Sequence, residues 1–162
     1  LIDSFQPDFS LFSFHGVPER HVKRVHKICL SRDSCCERLT DENRDCYRAQ
    51  CFSTAWAIAQ ALKLPPEKYS ISFQSRLGRT PWIQPFTDVV IQGLPQRGVQ
   101  RLAVFCPSFV SDCLETLDEI ENRERDRFLK AGGKELRLVP SLNDQPEWVR
   151  AAAEIILHAT QG

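Results

Sequence analysis

The chain has 162 residues, of which 42% are hydrophobic and 26% charged, and its 21 basic side chains balance 21 acidic ones. This composition is typical of one soluble globular domain, and the lack of a basic excess argues against nucleic acid as a partner. No apolar run approaches the roughly 20 residues of a membrane span, and the first residues do not resemble a signal peptide, so we expect a cytoplasmic protein. The chain contains no methionine, which suggests a piece of a longer product.

Short apolar runs with β character alternate with segments of helical spacing along the chain. The predicted strands are Phe9 to Phe14, Tyr69 to Phe73, Val99 to Phe105 and Glu135 to Val139. The predicted helices are Tyr47 to Lys63, a stretch around Phe86 to Gln96, Phe109 to Lys130, and Pro146 to Thr160. This order predicts an α/β fold, with a four-stranded, mostly parallel sheet and helices on both of its faces.

In open sheets of this class, ligands bind beyond the carboxyl ends of the strands. Three segments follow the first three strands there: His15 to Pro18, Gln74 to Trp82, and Cys106 to Ser108. No glycine-rich nucleotide loop follows any strand, so the sequence does not support nucleotide binding of that kind.

His15 ends the first strand and precedes Gly-Val-Pro, which predicts a turn. A histidine in this place acts as a base or a metal ligand near neutral pH. The alternative is a histidine that only hydrogen-bonds the turn, and position alone does not separate the two.

On the predicted helix from Phe109, apolar and acidic residues fall on opposite sides at 100° per residue. The apolar side comprises Val110, Cys113, Leu114, Leu117 and Ile120, and the acidic stripe comprises Asp112, Glu115 and Glu119. Stacked carboxylates suit proton transfer or the delivery of a hard metal ion. The alternative is an ordinary solvated helix face.

Arg76 and Arg79 lie close to Trp82 in the segment after the second strand. Guanidinium groups pair well with an acidic substrate, and a tryptophan packs on a flat ring. Equally, the arginines are surface residues and the tryptophan belongs to the core.

Four motifs in this order resemble the second half of ferrochelatase, the enzyme that inserts ferrous iron into a porphyrin. They are SFHGVPERH at 13–21, FQSRLGRTPWIQPFTD at 73–88, VFCPSFVSDCLETLDEI at 104–120 and AGGKELRLVPSLND at 131–144. The resemblance implies a Rossmann-like, chelatase-type lobe, with the porphyrin in a cleft between two such lobes. Residues 1–162 then form a single carboxyl-terminal lobe with a cysteine-rich insertion at about residues 19–46, and the amino-terminal lobe is absent.

The resemblance also assigns roles to residues of this chain. His15 matches the catalytic histidine and Glu115 its acidic partner, while Glu119 continues an acidic path that Arg123 then interrupts. Trp82 matches a tryptophan of the porphyrin pocket, and Arg76 and Ser108 are expected to bind the porphyrin beside it. The implied reaction is that of a lyase that forms haem from protoporphyrin IX and ferrous iron with the release of two protons, and the isolated lobe is expected to be inactive.

Four cysteines, Cys29, Cys35, Cys36 and Cys46, lie in the long polar stretch between His15 and Tyr47. The other three, Cys51, Cys106 and Cys113, are predicted to be buried structural thiols. Zinc sites usually show paired CxxC spacing, which is missing here, whereas an iron-sulfur cluster tolerates irregular spacing. Because some ferrochelatases carry a 2Fe-2S cluster, we expect one on these four thiols, with His21 or His26 as substitute ligands; zinc and solvent-exposed thiols are the alternatives.

The expected partners are porphyrin, ferrous iron, the amino-terminal lobe and a peripheral membrane contact. Two other functions stay open. One is an iron-sulfur or metal-binding module that keeps the fold without turnover, and the other is a single-lobe chelatase acting as a homodimer. The sequence does not distinguish protoporphyrin from coproporphyrin as substrate, and it does not give the oligomeric state.

Overall fold

The computed structural model describes residues 5–25, 29–30 and 33–160. Its centre is one sheet of four parallel strands in the order β2-β1-β3-β4. The strands are β1 (Phe9–His15), β2 (Tyr69–Gln74), β3 (Arg101–Phe105) and β4 (Glu135–Leu138). The predicted α/β fold is therefore confirmed, and the strands differ from their predicted limits by only one or two residues. His26 lies outside the described residues.

Helices connect the strands and follow the last one. They are α1 (Glu19–Val25), α2 (Tyr47–Ala61), α3 (Thr87–Gly93), α4 (Leu114–Thr116), a π-helix (Leu117–Glu124), α5 (Arg125–Lys130) and α6 (Pro146–Thr160). Single 3₁₀ turns occur at Asp33–Cys36, Pro66–Lys68 and Pro95–Arg97. No helix in the described part of the chain is long and apolar enough to cross a membrane.

The alternating side chains of β1 divide the core into two layers, because successive residues of a strand face opposite sides of the sheet. Phe12 and Phe14 pack with the α2 side of the sheet, together with Ala55 of that helix. Leu11 packs on the other side, together with Ile120 of the π-helix. Both faces of β1 are apolar, as expected for a central strand with helices on each side.

The predicted helix from Phe109 to Lys130 differs from the observed one in two ways. Helix α4 begins only at Leu114, and a π-helical stretch interrupts the regular 3.6-residue period from Leu117 to Glu124. The predicted apolar face is consequently wrong at Val110, Leu114 and Leu117, which are 41%, 78% and 44% exposed. The 100° rotation on which the prediction relied does not apply before the helix begins or across a π-turn.

The last helix, α6, has the predicted limits, and none of its residues is buried by the described part of the chain. Its exposed large apolar side chains are Val149, Ile155, Ile156 and Leu157. A helix that exposes several large apolar residues in this way is usually covered by another part of a protein.

Candidate active site

His15 is the last residue of β1 and lies at the carboxyl edge of the sheet. Its Nδ1 is 2.6 Å from the carbonyl oxygen of Gly16, and its ring centroid is 6.0 Å from that of Phe109. A carbonyl oxygen only accepts hydrogen bonds, so Nδ1 carries the proton and donates. The lone pair of a neutral His15 therefore resides on Nε2, which is the atom available as base or metal ligand.

The backbone of His15 is held on both sides by hydroxyl groups. The hydroxyl of Tyr47 donates to the His15 carbonyl oxygen at 2.7 Å, and the backbone N–H of His15 donates to Ser108 Oγ at 3.2 Å. The two hydroxyls are 3.1 Å apart. Tyr47 comes from the start of α2 and Ser108 from the turn after β3, so three separate segments meet at His15.

Gln74 ends β2 directly beside His15 in the sheet register. Its side-chain oxygen accepts a hydrogen bond from Ser13 at 2.7 Å, which fixes the orientation of the amide. Its Nε2 then donates to the carbonyl oxygen of Glu115 at 2.7 Å and lies 3.5 Å from a carboxylate oxygen of Glu119. Gln74 thus connects the end of β2 to α4 and to the first turn of the π-helix.

Glu119 is fixed by the residue that follows Gln74. Ser75 donates from its backbone N–H at 2.9 Å and from its hydroxyl at 2.6 Å to the Glu119 carboxylate. Ser75 has a φ of 64°, a left-handed conformation that is unusual for a residue other than glycine. Backbone strain of this kind is concentrated at functional sites, because it is retained where it positions a group.

Glu115 is half-buried, one helical turn before Glu119. A hydrogen bond from the Cys113 thiol, its own backbone N–H and the nearby His15 together hold the pKa of the Glu115 carboxyl below its usual range. Glu115 is therefore ionised at neutral pH. Gln74 links the two predicted catalytic residues, because it neighbours His15 in the sheet and donates to the Glu115 carbonyl oxygen.

A polar cavity of about 180 Å³ lies beyond the carboxyl end of β2, where Glu119 contributes to its wall. Glu124, at the end of the π-helix, is only 2% exposed and pairs with Arg127 through one oxygen, Oε1. Its other oxygen, Oε2, has no hydrogen-bond partner among the described residues. Burial raises the pKa of Glu124 to about 7, with further contributions from the neighbouring charges, including Asp88.

Arg76 and Arg123 also line this cavity. The Arg76 guanidinium pairs with Asp88 at 2.7 Å and lies over the Phe86 ring at 4.0 Å, while Arg123 pairs with Asp118. Both arginines thus already form ion pairs with carboxylates of this chain. Arg79 is exposed.

Trp82 packs on the turn that follows His15. Its indole N–H donates to the carbonyl oxygen of Leu77 at 2.9 Å, and Trp82 pairs with Pro18 in a short antiparallel bridge. A Cβ atom on Gly16 would lie 3.2 Å from the Trp82 ring, so glycine allows the close contact. The structure therefore places Trp82 beside the same turn as His15.

Asp112, predicted as part of the acidic stripe, lies before α4 and has a different environment. Its carboxylate accepts hydrogen bonds from Asn143 Nδ2 at 2.8 Å and from the backbone N–H of Ser141 at 3.1 Å. Burial opposes ionisation, but these hydrogen bonds outweigh it and lower the pKa of Asp112. Asp112 thus links the residues just before α4 to the segment after β4 by hydrogen bonds.

The cysteines of the polar stretch lie close to one another. The Sγ atoms of Cys29 and Cys46 are 3.6 Å apart, as are those of Cys35 and Cys36. A hydrogen bond between Cys36 and Cys46 joins the two pairs. Within the described residues, no group of three or more His, Cys, Asp or Glu side chains is arranged to hold one metal ion. His21 is exposed on α1.

The burial of these cysteines excludes one of the alternatives. Cys29, Cys36 and Cys46 are buried, so the prediction of solvent-exposed thiols is wrong for them, while Cys35 is half-buried. The hydrogen bond from Cys36 and the backbone N–H groups at the start of α2 lower the pKa of Cys46, and the same bond raises the pKa of Cys36.

The remaining cysteines largely match their prediction. Cys51 and Cys106 are buried, and burial raises the pKa of both thiols. Cys113 is only half-buried because it lies at the N-cap of α4.

Sequence reasoning missed three residues of this site: Tyr47, Gln74 and Ser75. Gln74 and Ser75 lie in the motif at 73–88 and in the segment expected to contact a ligand, but their residue types alone assign them no chemical role. Tyr47 lies far from His15 in sequence, and only the packing of α2 on the sheet brings the two together.

Comparisons with known proteins agree with these observations. A protein-family model described as "Ferrochelatase" matches residues 2–160. A ferrochelatase of Pseudomonas putida strain F1 is 50% identical over 153 residues, which cover 91% of this chain and 45% of the relative. One of Coxiella burnetii strain Dugway is 46% identical over 162 residues, which cover 99% of this chain and 46% of the relative. The chain thus spans about half the length of the curated relatives it matches.

Among solved structures, the chain is similar to a putative cobalamin biosynthesis CbiX protein from Marinobacter aquaeolei. The TM-score is 0.51 at 16% sequence identity, and the match covers 96% of this chain and 97% of the other. At this level of identity the likeness concerns the fold.

Proposed function

Because this chain belongs to the ferrochelatase family, we propose that the protein inserts ferrous iron into a porphyrin, as a lyase that forms haem. We take protoporphyrin IX as the substrate, with coproporphyrin as the alternative. Ferrous iron enters the macrocycle as the second substrate, two pyrrole protons leave, and no electron is transferred.

The observation that carries this proposal is the convergence of His15, Glu115 and Glu119 at one edge of the sheet. Gln74 contacts both the Glu115 carbonyl and the Glu119 carboxylate, and it is the register neighbour of His15. A base and an anionic path therefore lie at the same edge of the sheet, and these are the two elements that metal insertion requires.

Each group has a defined part in the proposed reaction. His15 Nε2, which carries the lone pair, accepts a pyrrole proton or coordinates the incoming iron. Glu115 is ionised at neutral pH and attracts both the ferrous ion and the imidazolium that proton transfer creates. Glu119, held in place by Ser75, delivers iron toward Glu115 and receives protons from it.

Exposed apolar side chains near these groups suit a flat apolar ligand. Leu77, whose carbonyl oxygen accepts the Trp82 hydrogen bond, is 80% exposed, and Leu114, next to Glu115, is 78% exposed. Side chains of this kind bind the faces of a macrocycle or are covered by a facing lobe. We propose that Trp82 contacts the porphyrin and that Ser108 lies at its edge; Arg76 reaches a porphyrin carboxylate only after leaving Asp88.

We further propose that a first lobe, corresponding to the half of the relatives that this chain does not match, completes the cleft. The exposed apolar residues of α6 offer a surface for it. On this view the present chain alone has no activity, and the whole protein works in the cytoplasm with a peripheral membrane contact. Cell fractionation tests the cytoplasmic location, and sedimentation with lipid vesicles tests the membrane contact.

The four cysteines support a 2Fe-2S cluster as an accessory to this function. Two sulfurs on one tetrahedral metal at about 2.3 Å lie about 3.8 Å apart. The Cys29–Cys46 and Cys35–Cys36 pairs, each at 3.6 Å, are close to this separation, and a 2Fe-2S cluster takes two thiolates on each iron. Because metal insertion moves no electrons, the cluster has a structural or sensory role.

The same pairs favour a second candidate function, an iron-sulfur or zinc-binding module without turnover. A visible absorption spectrum of the anaerobically purified protein, with iron, sulfide and zinc analyses, tests the cluster. We expect two irons and two sulfides per chain, lost in Cys36→Ser and retained in Cys113→Ser. A colourless protein, with or without zinc, contradicts the cluster.

The catalytic proposal is tested by ferrous iron insertion in the full-length protein. Glu115→Gln removes the charge next to His15, and we expect at least a tenfold loss of rate. Glu121→Gln changes an exposed glutamate of the π-helix that follows α4 and serves as the matched control. Equal rates for both variants and the wild type contradict the role of the acidic path.

A further inference from the structure

The first turn of α2 contacts the cysteines as well as the active site. Cys46, immediately before the helix, is in contact with Cys29 and Cys36. The next residue, Tyr47, donates its hydroxyl hydrogen to the carbonyl oxygen of His15 at 2.7 Å. We call Cys29, Cys35, Cys36 and Cys46 the cysteine group. Its member Cys46 is thus the chain neighbour of the residue that donates a hydrogen bond to His15.

The hydrogen bonds around His15 form a closed ring. Tyr47 donates to the His15 carbonyl, the His15 N–H donates to Ser108 Oγ, and the Ser108 hydroxyl donates to the Tyr47 oxygen over 3.1 Å. Each hydroxyl then donates once and accepts once, so every polar atom of the ring is satisfied. The peptide groups on both sides of the His15 Cα are thereby fixed.

This ring controls the imidazole because the side chain is bound to the same backbone. Nδ1 of His15 donates to the carbonyl oxygen of Gly16. This carbonyl belongs to the peptide group that follows the one to which Tyr47 donates. A rotation of the backbone at His15 would move the Gly16 carbonyl and the ring together, and with them Nε2. A small displacement of a base from its substrate costs a large factor in rate.

Arg48 extends the contact to the Trp82 segment. Its Nε and Nη2 atoms both donate to the carbonyl oxygen of Gln84 at 3.3 Å, and its guanidinium lies 4.5 Å from the centroid of the Phe52 ring. The cysteines, the histidine and the segment that bears Trp82 are therefore tied to three consecutive residues, Cys46, Tyr47 and Arg48.

We infer that Tyr47 is a positioning residue for His15, and that through it the cysteine group sets the orientation of the imidazole. This inference rests on the proposed role of His15 in metal insertion. It gives the cysteines a function in a reaction that uses no electrons, since their arrangement determines where α2 begins and hence where the Tyr47 hydroxyl lies.

The first test compares Tyr47→Phe with Tyr69→Phe in the full-length protein. The chain has two tyrosines, and Tyr69 lies at the opposite end of the sheet, with its ring against Phe12. Loss of the hydrogen bond is expected to lower kcat about tenfold in Tyr47→Phe and leave KM for the porphyrin unchanged, because the base and not the binding surface moves. Tyr69→Phe should stay within twofold of the wild type. A rise in KM with normal kcat overturns the inference.

The second test measures hydrogen exchange of the His15 amide, a readout that needs no turnover. We expect exchange to be at least tenfold faster in Tyr47→Phe, Ser108→Ala and Cys46→Ser, and unchanged in Cys113→Ser. If the cysteines act through Tyr47, the double variant Cys46→Ser/Tyr47→Phe exchanges no faster than the faster single variant. Unchanged exchange in Cys46→Ser, or additive effects in the double variant, overturns the inference.

The two proposals fail in different ways. If His15→Ala retains normal metal insertion, the proposed function is wrong, whatever the exchange rates. If His15→Ala is inactive but Tyr47→Phe matches the wild type in kcat and in exchange, only the positioning role is wrong. Thermal unfolding of each variant identifies any loss of the fold.

Discussion

Ser75 donates two hydrogen bonds to the carboxylate of Glu119, one from its backbone N–H at 2.9 Å and one from its hydroxyl at 2.6 Å. The left-handed φ of 64° at Ser75 directs both donors to the same carboxylate. Hydrogen bonds to a charged acceptor are stronger than those between neutral groups. The end of β2 thus fixes the second carboxylate of the proposed iron path.

Ser75→Gly removes the hydroxyl but accommodates the left-handed φ, so it isolates one of these two bonds. Because a hydrogen bond to a charged group contributes roughly 1.5–3 kcal/mol, we expect the KM for ferrous iron to rise about tenfold or more with kcat little changed. Steady-state iron insertion measures this change. Ser53→Ala, on the half-buried side of α2, is the control and should keep the normal KM; an unaltered KM in Ser75→Gly excludes the iron path through Glu119.

Glu124 should make stability depend on pH. Its folded-state pKa of about 7 lies above the ordinary value of 4.5, so the folded protein binds this proton more tightly than the unfolded one. The stabilisation that the folded state gains from this tighter proton binding is fully present below about pH 4.5. It is lost as the pH rises through 7. The facing charges are Arg127 and Arg123 and the carboxylates of Asp88 and Glu119.

Glu124→Gln removes this titration. Relative to the variant, the wild type is expected to lose up to about 3 kcal/mol of unfolding free energy between pH 5 and pH 8, measured by urea unfolding. Glu121→Gln, at an exposed site, should show no such pH-dependent difference. A constant difference between wild type and Glu124→Gln across this range contradicts a raised pKa.

Gly16 allows the turn after His15 to pack against Trp82. A Cβ there would lie 2.8 Å from the Gln74 carbonyl oxygen and 3.2 Å from the Trp82 ring. We expect Gly16→Ala to destabilise the protein by about 1–3 kcal/mol and to weaken porphyrin binding, because both neighbours must move. Gly93→Ala is the control: apart from its chain neighbours and the backbone of its own helix, no described atom lies within 4 Å of that Cβ, so the midpoint of thermal unfolding should change little. Normal porphyrin binding by a folded Gly16→Ala protein would show that this contact does not shape the site.

The strands could be predicted from the sequence, since β1 and β2 are short segments in which serines separate large apolar and aromatic residues typical of strands. His15 and Trp82 could also be placed near one edge of the sheet, because they follow β1 and β2 and the carboxyl ends of parallel strands meet at the same edge. The strand order β2-β1-β3-β4 was not predictable in the same way, and it is this order that puts Gln74 beside His15 and Ser108 across from it.

The helix after Phe109 shows what periodicity cannot resolve. A rotation of 100° per residue assumes one regular helix, whereas the chain reaches a helical conformation only at Leu114 and then adopts π-turns from Leu117. The prediction consequently placed Leu114 on the buried face. Similarly, the proximity of Cys29 to Cys46 depends on the path of the intervening chain, which local patterns do not determine.

The most direct measurement is the rate of ferrous iron insertion by the full-length His15→Ala protein. His21→Ala, an exposed histidine on α1, is the matched control, and thermal unfolding establishes that both variants are folded. Because Nε2 of His15 is the proposed base or iron ligand, we expect His15→Ala to be slower by at least about 100-fold and His21→Ala to match the wild type. A folded His15→Ala protein that metalates porphyrin at the normal rate would contradict the account.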